Sequence, residues 1–288
     1  MLTQAKICAI LFQKDIEKSE TNHMKFLSAI LAFLCTAGIL TSNKAPKKLP
    51  IPEGNLVFED NFDGTSLDTT KWSRCPEYER CEGYTYWSDD CSYLDGEGHL
   101  VLHAEWDSEK GRMNSGAVRT FRKFEFGLGY YEASIKFDNP RGLWGAFWMM
   151  VGNVGNTSDP TGAKGIEIDI IESIFADENK CQHALHWNGY GDKHKSTGTD
   201  LTNVNIYDGS FHTFGLERTE DAYIFYIDNA ETARYTSEEI GICKLDGYMK
   251  LSVECAQWAG AGTPEAINAR PSDMLVDYVR VYREKPQS

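Results

Sequence analysis

The sequence predicts an all-β fold, a jelly-roll β-sandwich of two antiparallel sheets with a concave cleft. Short apolar segments of strand length recur along the chain with turn residues between them, and long helical periodicity is absent. Alternation with a period of two is clear in AYIFYIDN (222–229) and VDYVRVY (276–282). The segment TSEEIGI (236–242) could form at most one helical turn.

Nine segments are predicted as strands because each is rich in β-branched, aromatic or other apolar residues and ends at turn residues. In chain order they are HLVLHAEW (99–106), SGAVRTF (115–121), GYYEASIKF (129–137), GAFWMMVG (145–152), IEIDIIESI (166–174), HTFGLERT (212–219), AYIFYIDN (222–229), YMKLSVEC (248–255) and MLVDYVRVYR (274–283).

Length and charge limit the domain organisation and the partners. The chain has 288 residues and a formal net charge of −14. One all-β domain commonly spans about 200 to 250 residues, so we expect a single domain over 56–284 that follows a linker over 47–55. The acidic surface argues against nucleic acid, anionic lipid and heavily sulfated polymers, and it favours a neutral partner. We expect a monomer.

The N-terminal region is typical of a targeting segment. Residues 1–46 are interpreted as a leader, with a signal peptide at about 24–42 whose apolar run from Phe26 to Leu40 follows Lys25. Met24 is a candidate start of the natural protein. We expect a secreted protein with no membrane association after signal removal; the alternative is a signal anchor that stays in the membrane.

Six cysteines lie outside the leader, and two interpretations of them stay open. An even number in a secreted chain favours disulfides, with 15 pairings allowed for six residues. Buried free thiols are the alternative. The six are Cys75, Cys81, Cys91, Cys181, Cys243 and Cys255.

The segment GIEIDIIES (165–173) carries three acids in an apolar strand, where carboxylates are rarely placed. Glu167 and Asp169 share one strand face, but a regular strand would turn Glu172 to the other. A β-bulge at Ile170–Ile171 would bring Glu172 back beside them. Carboxyls that close cannot all ionise easily, so one should hold a proton near neutral pH. Retaining glycoside hydrolysis needs such a pair, one ionised and one protonated; the alternatives are a solvated edge strand or a calcium site.

The sequence resembles glycoside hydrolase family 16, the laminarinase, lichenase and agarase family, over roughly Leu56 to Arg283. The spacing E-I-D-x-x-E resembles the bulged, laminarinase-like branch. The resemblance implies that Glu167 is the nucleophile, Asp169 its helper and Glu172 the acid/base. The stretches that carry it are LVFEDNFDG, GHLVLHA, SGAVRT, FEFGLGYYEASIKF, LWGAFWMM, EIDIIES, ALHWNGYG, HTFGLERTEDAYIFYIDN and LVDYVRVY.

Sugar rings stack on aromatic side chains and their hydroxyls accept or donate hydrogen bonds, so aromatic and polar residues near the acids are candidate substrate contacts. Trp144 and Trp148 precede the acids at an even spacing, which predicts one common face. Core packing is the alternative for each Trp, a structural role for His186 and an ion pair for Glu132. The candidates are Trp144, Trp148, His186, Trp187, Trp258, Glu132 and Trp87.

The resemblance also implies a structural calcium ion, although catalysis would need no cofactor. Its candidate ligands are Asn61, the backbone oxygen of Gly98, and Asp277. Asn is a weaker calcium ligand than the acid usual at this place in the family.

The sequence therefore predicts a secreted, endo-acting, retaining glycoside hydrolase that cleaves a β-linked polysaccharide, with β-1,3-glucan or mixed β-1,3/1,4-glucan as the expected substrate. The alternatives are a galactan (agar, porphyran or carrageenan) or a host glycan, and transglycosylation in place of hydrolysis. A non-catalytic glycan-binding jelly roll is a more distant one. A cationic cleft would favour the galactans, and a strand without the bulge would favour the binding protein.

Overall fold

The computed structural model describes residues 50–81, 85–138, 142–156, 158–174, 179–202, 204–256, 259 and 272–287. In these ranges the chain forms eighteen β-strands and two one-turn 3₁₀ helices, Asp89–Cys91 and Val154–Asn156. No helix within them is long and apolar enough to cross a membrane. The leader, residues 1–46, lies outside the described residues.

In chain order the strands are β1 (Leu56–Asp60), β2 (Ser73–Arg74), β3 (Tyr78–Arg80), β4 (Thr85–Trp87), β5 (Ser92–Leu94), β6 (Leu100–Asp107), β7 (Arg112–Ser115), β8 (Ala117–Arg119), β9 (Gly129–Phe137), β10 (Leu143–Gly152), β11 (Gly165–Ser173), β12 (Lys180–Trp187), β13 (Lys195–Thr202), β14 (His212–Arg218), β15 (Ala222–Ile227), β16 (Ala230–Thr236), β17 (Gly247–Cys255) and β18 (Ser272–Tyr282).

The strands build two sheets, which confirms the predicted sandwich. The larger sheet runs β16-β15-β14-β9-β18-β6-β7-β4-β3, with β1 added to β18 and β5 to β6. The smaller sheet runs β13-β12-β11-β10-β17-β8-β2. Neighbouring strands are antiparallel except for the parallel pair β4–β7.

One continuous apolar core lies between the sheets because alternate residues of each central strand point inward. Ile135 and Phe137 of β9 supply it from the larger sheet, and Phe147 and Met149 of β10 supply it from the smaller one. The sheets approach closely at Gly145, where an added Cβ would lie 2.9 Å from Phe137 Cε1. A larger residue at Gly145 would therefore push the two layers apart.

All nine predicted strand segments contain strands, and TSEEIGI forms only a turn. The other nine strands were not predicted: β1 to β5, β7, β12, β13 and β16. β13 has the sequence KSTGTDLT and lies at the edge of the smaller sheet, so it buries little apolar surface and lacks a hydrophobic pattern. Pairing with β12 makes it a strand, and sequence patterns do not report pairing.

The disulfide prediction was wrong, because the six cysteines outside the leader are all free and buried. Cys181 and Cys243, for example, pack in the main core as small apolar side chains. The alternative, buried free thiols, is the one the structure supports.

Arg218 at the end of β14 ties the larger sheet to the segment before β17. It is 1% exposed. Its Nη1 donates to Gly127 O at 2.9 Å, and its Nη2 donates to Cys243 O at 2.8 Å and Leu245 O at 2.9 Å. These carbonyls belong to loops that no strand partner satisfies, so the guanidinium does so.

We predict that Arg218→Met lowers the free energy of unfolding by about 3 to 5 kcal/mol, because buried carbonyl oxygens lose their charged donor. Urea unfolding followed by tryptophan fluorescence measures this change. Arg234→Met is the matched control, since Arg234 forms an exposed pair with Glu231 and its loss should change stability by about 1 kcal/mol or less. Equal effects of the two substitutions would contradict the role given to Arg218.

Candidate active site

The three acids of β11 lie on one face of the strand because the strand contains a bulge. Opposite β10, Trp148 pairs with Asp169 and Phe147 pairs with Ile171, so Ile170 is the extra residue. The pairing with β12 shifts at the same place, between Asp169 and Glu172. Both Ile170 and Ile171 enter the main core. The bulge predicted at Ile170–Ile171 is therefore confirmed, and Glu172 returns to the face of Glu167 and Asp169.

We call this the site face: the side of the smaller sheet turned away from the main core. His186 and Gln182 of β12 pair with Glu167 and Glu172, respectively. β10 flanks β11 at the edge opposite to β12. On the same site face, the even-numbered residues of β10 form a second apolar cluster with residues of β4 and β8. The members of this cluster are Cys75, Trp87, Ala117, Ala146, Trp148, Met150, Val154 and Tyr190, with Tyr78, Trp144 and Tyr248 packed against it.

Glu167 is held by a hydrogen bond from outside the sheet. Tyr190 OH donates to Glu167 Oε2 at 2.5 Å. Burial raises the pKa of Glu167, whereas the Tyr190 hydrogen bond and the positive charge of Lys250 act in the opposite direction. These two groups favour the ionised carboxylate that a nucleophile requires.

Asp169 is buried between its neighbours, and burial and the charges of Glu172 and Glu167 raise its pKa well above the usual range. Its Oδ2 lies 3.4 Å from His186 Nε2 and is buried without a hydrogen-bond partner. One donor atom from each of Glu167, Asp169 and His186 lie within 4.8 Å of one another. A protonated Asp169 therefore sits within reach of the Glu167 carboxylate and could stabilise its charge.

Glu172 has the properties of a proton donor at neutral pH. Burial, together with the nearby charge of Glu167, raises the pKa of Glu172 to about 7. Gln182 Nε2 donates to Glu172 Oε2 at 2.6 Å, and hydrogen bonding from Gln182 and Trp144 lowers the pKa in part. The face thus combines a carboxyl that accepts a hydrogen bond from Tyr190 with a carboxyl that keeps its proton close to pH 7.

Polar residues of β17 extend the site face beyond β10. Lys250 is 2% exposed, and its Nζ lies 3.6 Å from the ring centre of Trp148 and 4.7 Å from that of Trp87. Burial lowers the pKa of Lys250 to about 7. Four residues further along, Glu254 accepts a hydrogen bond from Arg80 Nη2 at 3.0 Å.

The two tryptophans of β10 share the site face, as predicted. Trp148 is buried, and its Nε1 donates to Ser252 Oγ at 3.0 Å, so it forms the floor beneath Lys250. Trp144 is half-buried at the Glu172 end, and His186 lies beside Asp169. Trp144 and His186 therefore remain candidates for contact with a substrate.

Three predicted contacts were wrong. Trp187 follows His186 directly, so it points to the opposite face, where it packs against the main core. Glu132 lies on the outer face of β9 in the other sheet and accepts hydrogen bonds from Tyr130 and Tyr278. Trp87 is 1% exposed, beneath the Arg80 guanidinium, so no sugar can stack on it. Trp258 lies outside the described residues.

One of the three predicted calcium ligands, Asn61, already contacts a cationic side chain. Asn61 Oδ1 accepts a hydrogen bond from Arg280 Nη2 at 3.1 Å, which places a positive charge where a metal ion would be expected. Asp277 is the extra residue of a bulge in β18, and Gly98 has a positive φ of 96°. Calcium binding stays a prediction, and no chemical step below uses it.

Several residues of the site face were missed from the sequence. Lys250, Ser252 and Glu254 recur with a period of two in the predicted strand YMKLSVEC, the same signal that revealed the acids. Gln182 lies on a strand that was not predicted, and Tyr190 reaches the site from a loop, which carries no pattern. A search for polar rows in apolar strands would have found the first three.

We predict that Gln182→Leu raises the pKa of Glu172 above about 7, because the amide donates to the carboxylate and so favours the charged form. Carbon-13 NMR titration of labelled Glu carboxyls measures the midpoint. Thr197→Val, on the opposite face of β13, is the control and should leave it unchanged. A midpoint that stays or falls in Gln182→Leu would exclude this role of the amide.

Comparison with known proteins identifies the family of this chain. A family model described as "Beta-porphyranase A-D, GH16 domain" matches residues 54–284. The β-glucanase of Rhodothermus marinus is 25% identical over 284 residues, covering 90% of this chain and 95% of that protein. The keratan-sulfate endo-1,4-β-galactosidase of Sphingobacterium multivorum is 29% identical over 251 residues, covering 79% of this chain and 55% of that protein.

Other relatives are much longer than this chain. It spans 33% of the endo-1,3-1,4-β-glycanase ExsH of Rhizobium meliloti, which is 29% identical over 170 residues or 58% of this chain. Among solved structures, the catalytic domain of an endo-1,3-β-glucanase (laminarinase) from Thermotoga petrophila superposes on this chain with a TM-score of 0.67. It is 26% identical and covers 80% of this chain and 98% of that one. The chain belongs to glycoside hydrolase family 16.

Proposed function

We propose that the protein is an endo-acting, retaining hydrolase of a β-linked polysaccharide, with Glu167 as nucleophile, Asp169 as its helper and Glu172 as acid/base. The observation that carries this proposal is the bulge at Ile170, which sets Glu172 on the face of Glu167. A non-catalytic glycan-binding protein has no need of that alignment.

In the first step Glu167 attacks the anomeric carbon while Glu172 gives its proton to the leaving glycosidic oxygen, and a glycosyl-enzyme ester forms. A protonated Asp169, with an oxygen within 4.8 Å of a Glu167 carboxylate oxygen, limits the repulsion between three neighbouring carboxyls. Burial of the site supports the step, because charges interact more strongly where water is excluded.

In the second step Glu172, now ionised, removes a proton from water as the water oxygen attacks the anomeric carbon. The ester bond to Glu167 breaks, and the sugar leaves with its original configuration. A sugar hydroxyl in place of water would give transglycosylation with the same residues.

The first candidate substrate is a β-1,3-glucan or mixed β-1,3/1,4-glucan. Relatives named as β-glucanase and endo-1,3-1,4-β-glycanase support it, as does the bulged spacing of the acids. The apolar run from Phe26 to Leu40 in the leader supports a secreted location. Secretion would bring the enzyme to a polymer that a cell cannot take up.

The second candidate is a galactan that carries acidic groups, and it rests on the cations of the site face. Arg119 of β8 pairs with Lys250 of β17, so both side chains share that face. Arg119 Nε is buried without a hydrogen-bond partner. The net charge of −14 does not report how cations cluster, so an acidic surface is compatible with a cationic patch at the site. The family model described as a β-porphyranase and the relative named as a keratan-sulfate endo-1,4-β-galactosidase also support a galactan substrate.

We predict that Glu167→Gln abolishes turnover without unfolding the protein, because the amide is nearly isosteric but cannot attack. Glu172→Gln should lower the rate by about 10²- to 10⁴-fold on polysaccharide, with partial rescue on aryl glycosides whose leaving group needs no proton. Initial rates on both substrate types measure this difference. Full activity of Glu167→Gln, or equal loss of activity on both substrates for Glu172→Gln, would refute the assigned roles.

Product release from a polysaccharide panel distinguishes the substrates: laminarin, barley mixed-linkage glucan, agarose, porphyran, carrageenan, keratan sulfate and xyloglucan. Oligosaccharides from laminarin or barley glucan support the first candidate, and release only from the galactans supports the second. Folded protein that releases nothing across the panel would favour a different host glycan or glycan binding without cleavage.

If a sulfated galactan is cleaved, we predict that Arg119→Met lowers kcat/KM on it by roughly tenfold or more, since a hydrogen bond to a charged group contributes about 1.5 to 3 kcal/mol. Activity on the desulfated polymer should hardly change. Arg234→Met, on the distant edge strand β16, is the control. An equal loss of kcat/KM on both polymers would show that Arg119 does not bind the sulfate group.

A further inference from the structure

We propose that Tyr190 is a positioning residue for the nucleophile: its hydroxyl holds Glu167 Oε2, leaves Oε1 to attack, and stabilises the carboxylate that departs when the glycosyl-enzyme is hydrolysed. This inference rests on the function proposed above, and it assigns a role to a loop residue outside the three acids. The O–O distance of 2.5 Å between Tyr190 and Glu167 is the observation that points to it.

The loop between β12 and β13 delivers Tyr190 to this position. Trp187 pairs with Lys195, so residues 188–194 form the loop of a hairpin. Asn188 and Gly189 have φ values of 66° and 73°, in the left-handed region that Asn and Gly tolerate. This pair of residues turns the chain sharply back over the site face. Asn188 Nδ2 donates to Lys193 O at 2.6 Å and closes the base of the loop.

Packing then fixes the tyrosine ring. Tyr190 is 2% exposed and belongs to the apolar cluster of the site face, with Met150 Sδ 3.6 Å from its hydroxyl. The same loop carries His194, whose Nε2 lies 3.1 Å from His186 Nδ1. Through Tyr190 and His194 one hairpin therefore reaches both Glu167 and the histidine beside Asp169.

Tyr190 is suited to be a donor over the whole working pH range. Burial and the Glu167 charge raise the pKa of Tyr190 well above its usual value, so the hydroxyl keeps its proton. The charged and titratable groups that share the surroundings of Glu167 are Asp169 and Glu172 from its own strand, His186 from β12, His194 from the hairpin, Lys250 and Tyr248 from β17, and Arg80 from β3.

The two chemical steps depend differently on this hydrogen bond. When Glu167 Oε1 bonds to the anomeric carbon, the carboxylate charge disappears and the Tyr190 hydrogen bond weakens. When water attacks and the C–O bond to Oε1 breaks, the charge returns and the hydrogen bond strengthens. Removing the hydroxyl should therefore slow hydrolysis of the ester more than its formation.

The test is Tyr190→Phe, which keeps the ring and removes only the donor. We expect hydrolysis of the glycosyl-enzyme to slow by roughly 10- to 100-fold, from the loss of a charge-assisted hydrogen bond. Stopped-flow assays with 2,4-dinitrophenyl β-laminaribioside, or the β-galactobioside if the panel identifies a galactan, should show a burst of dinitrophenolate. Mass spectrometry should find the sugar on the peptide that contains Glu167.

The pH profile gives a second readout that a purely structural role would not change. Because Tyr190 favours the ionised form of Glu167, its loss raises the pKa of that carboxyl. The acid limb of kcat/KM, where the nucleophile must be ionised, should therefore move to higher pH in Tyr190→Phe. Tyr235→Phe is the matched control, since it removes a hydroxyl contact to Thr199, a residue of β13 far from the acids in register.

If the thermal midpoint of Tyr190→Phe falls below the assay temperature, Asn188→Gly replaces it. Glycine keeps the left-handed turn but removes the 2.6 Å bond to Lys193 O, so a smaller burst of the same kind is expected. If a folded variant shows the same dinitrophenolate burst and the same acid limb of kcat/KM as the wild type, the role of Tyr190 is overturned. The proposed mechanism has a separate test, in which the wild-type protein is treated with a 2-fluoro dinitrophenyl glycoside. If the protein cleaves polysaccharide but Glu167 is not labelled, the proposed mechanism is overturned instead.

Discussion

The site depends on one constraint: a central strand must bury isoleucines on one face and carry three carboxyls on the other. Strict alternation satisfies this for Glu167 and Asp169 but not for Glu172, which lies at an odd spacing. The extra residue Ile170 resolves the conflict because both it and Ile171 enter the core. The packing of Ile170 and Ile171 on the core side of β11 thus determines which acids lie together on the site face.

Crowding three carboxyls together is unfavourable, and the neighbouring groups decide how each one responds. Tyr190 and Lys250 favour the charged form of Glu167, whereas burial and the adjacent acids keep protons on Asp169 and Glu172. The same environment therefore separates a nucleophile from a proton donor. The electrostatic repulsion within the cluster is part of how the site works, since burial and the charge of Glu167 together raise the pKa of Glu172 to about 7.

The rest of the sandwich brings distant segments to this face. Arg218 connects the larger sheet to the start of β17, the strand that carries Lys250. Arg80 reaches Glu254 from β3, at a separation of 174 residues along the chain. Such contacts place cations beside the acids in a protein of net charge −14, so the local potential of the site differs from the average of the surface.

Patterns within single segments were enough to predict the sandwich, the bulge and the common face of Trp144 and Trp148, because periodicity reports which side of a strand is buried. They did not reveal the roles of Trp187 or Tyr190. Both follow the acids by fewer than 25 residues, yet which of them approaches Glu167 depends on strand register and on a left-handed turn. The sequence by itself determined the acids and their alignment; only the tertiary structure decided their neighbours, since hydrogen bonds between strands and loops form between residues that no local pattern connects.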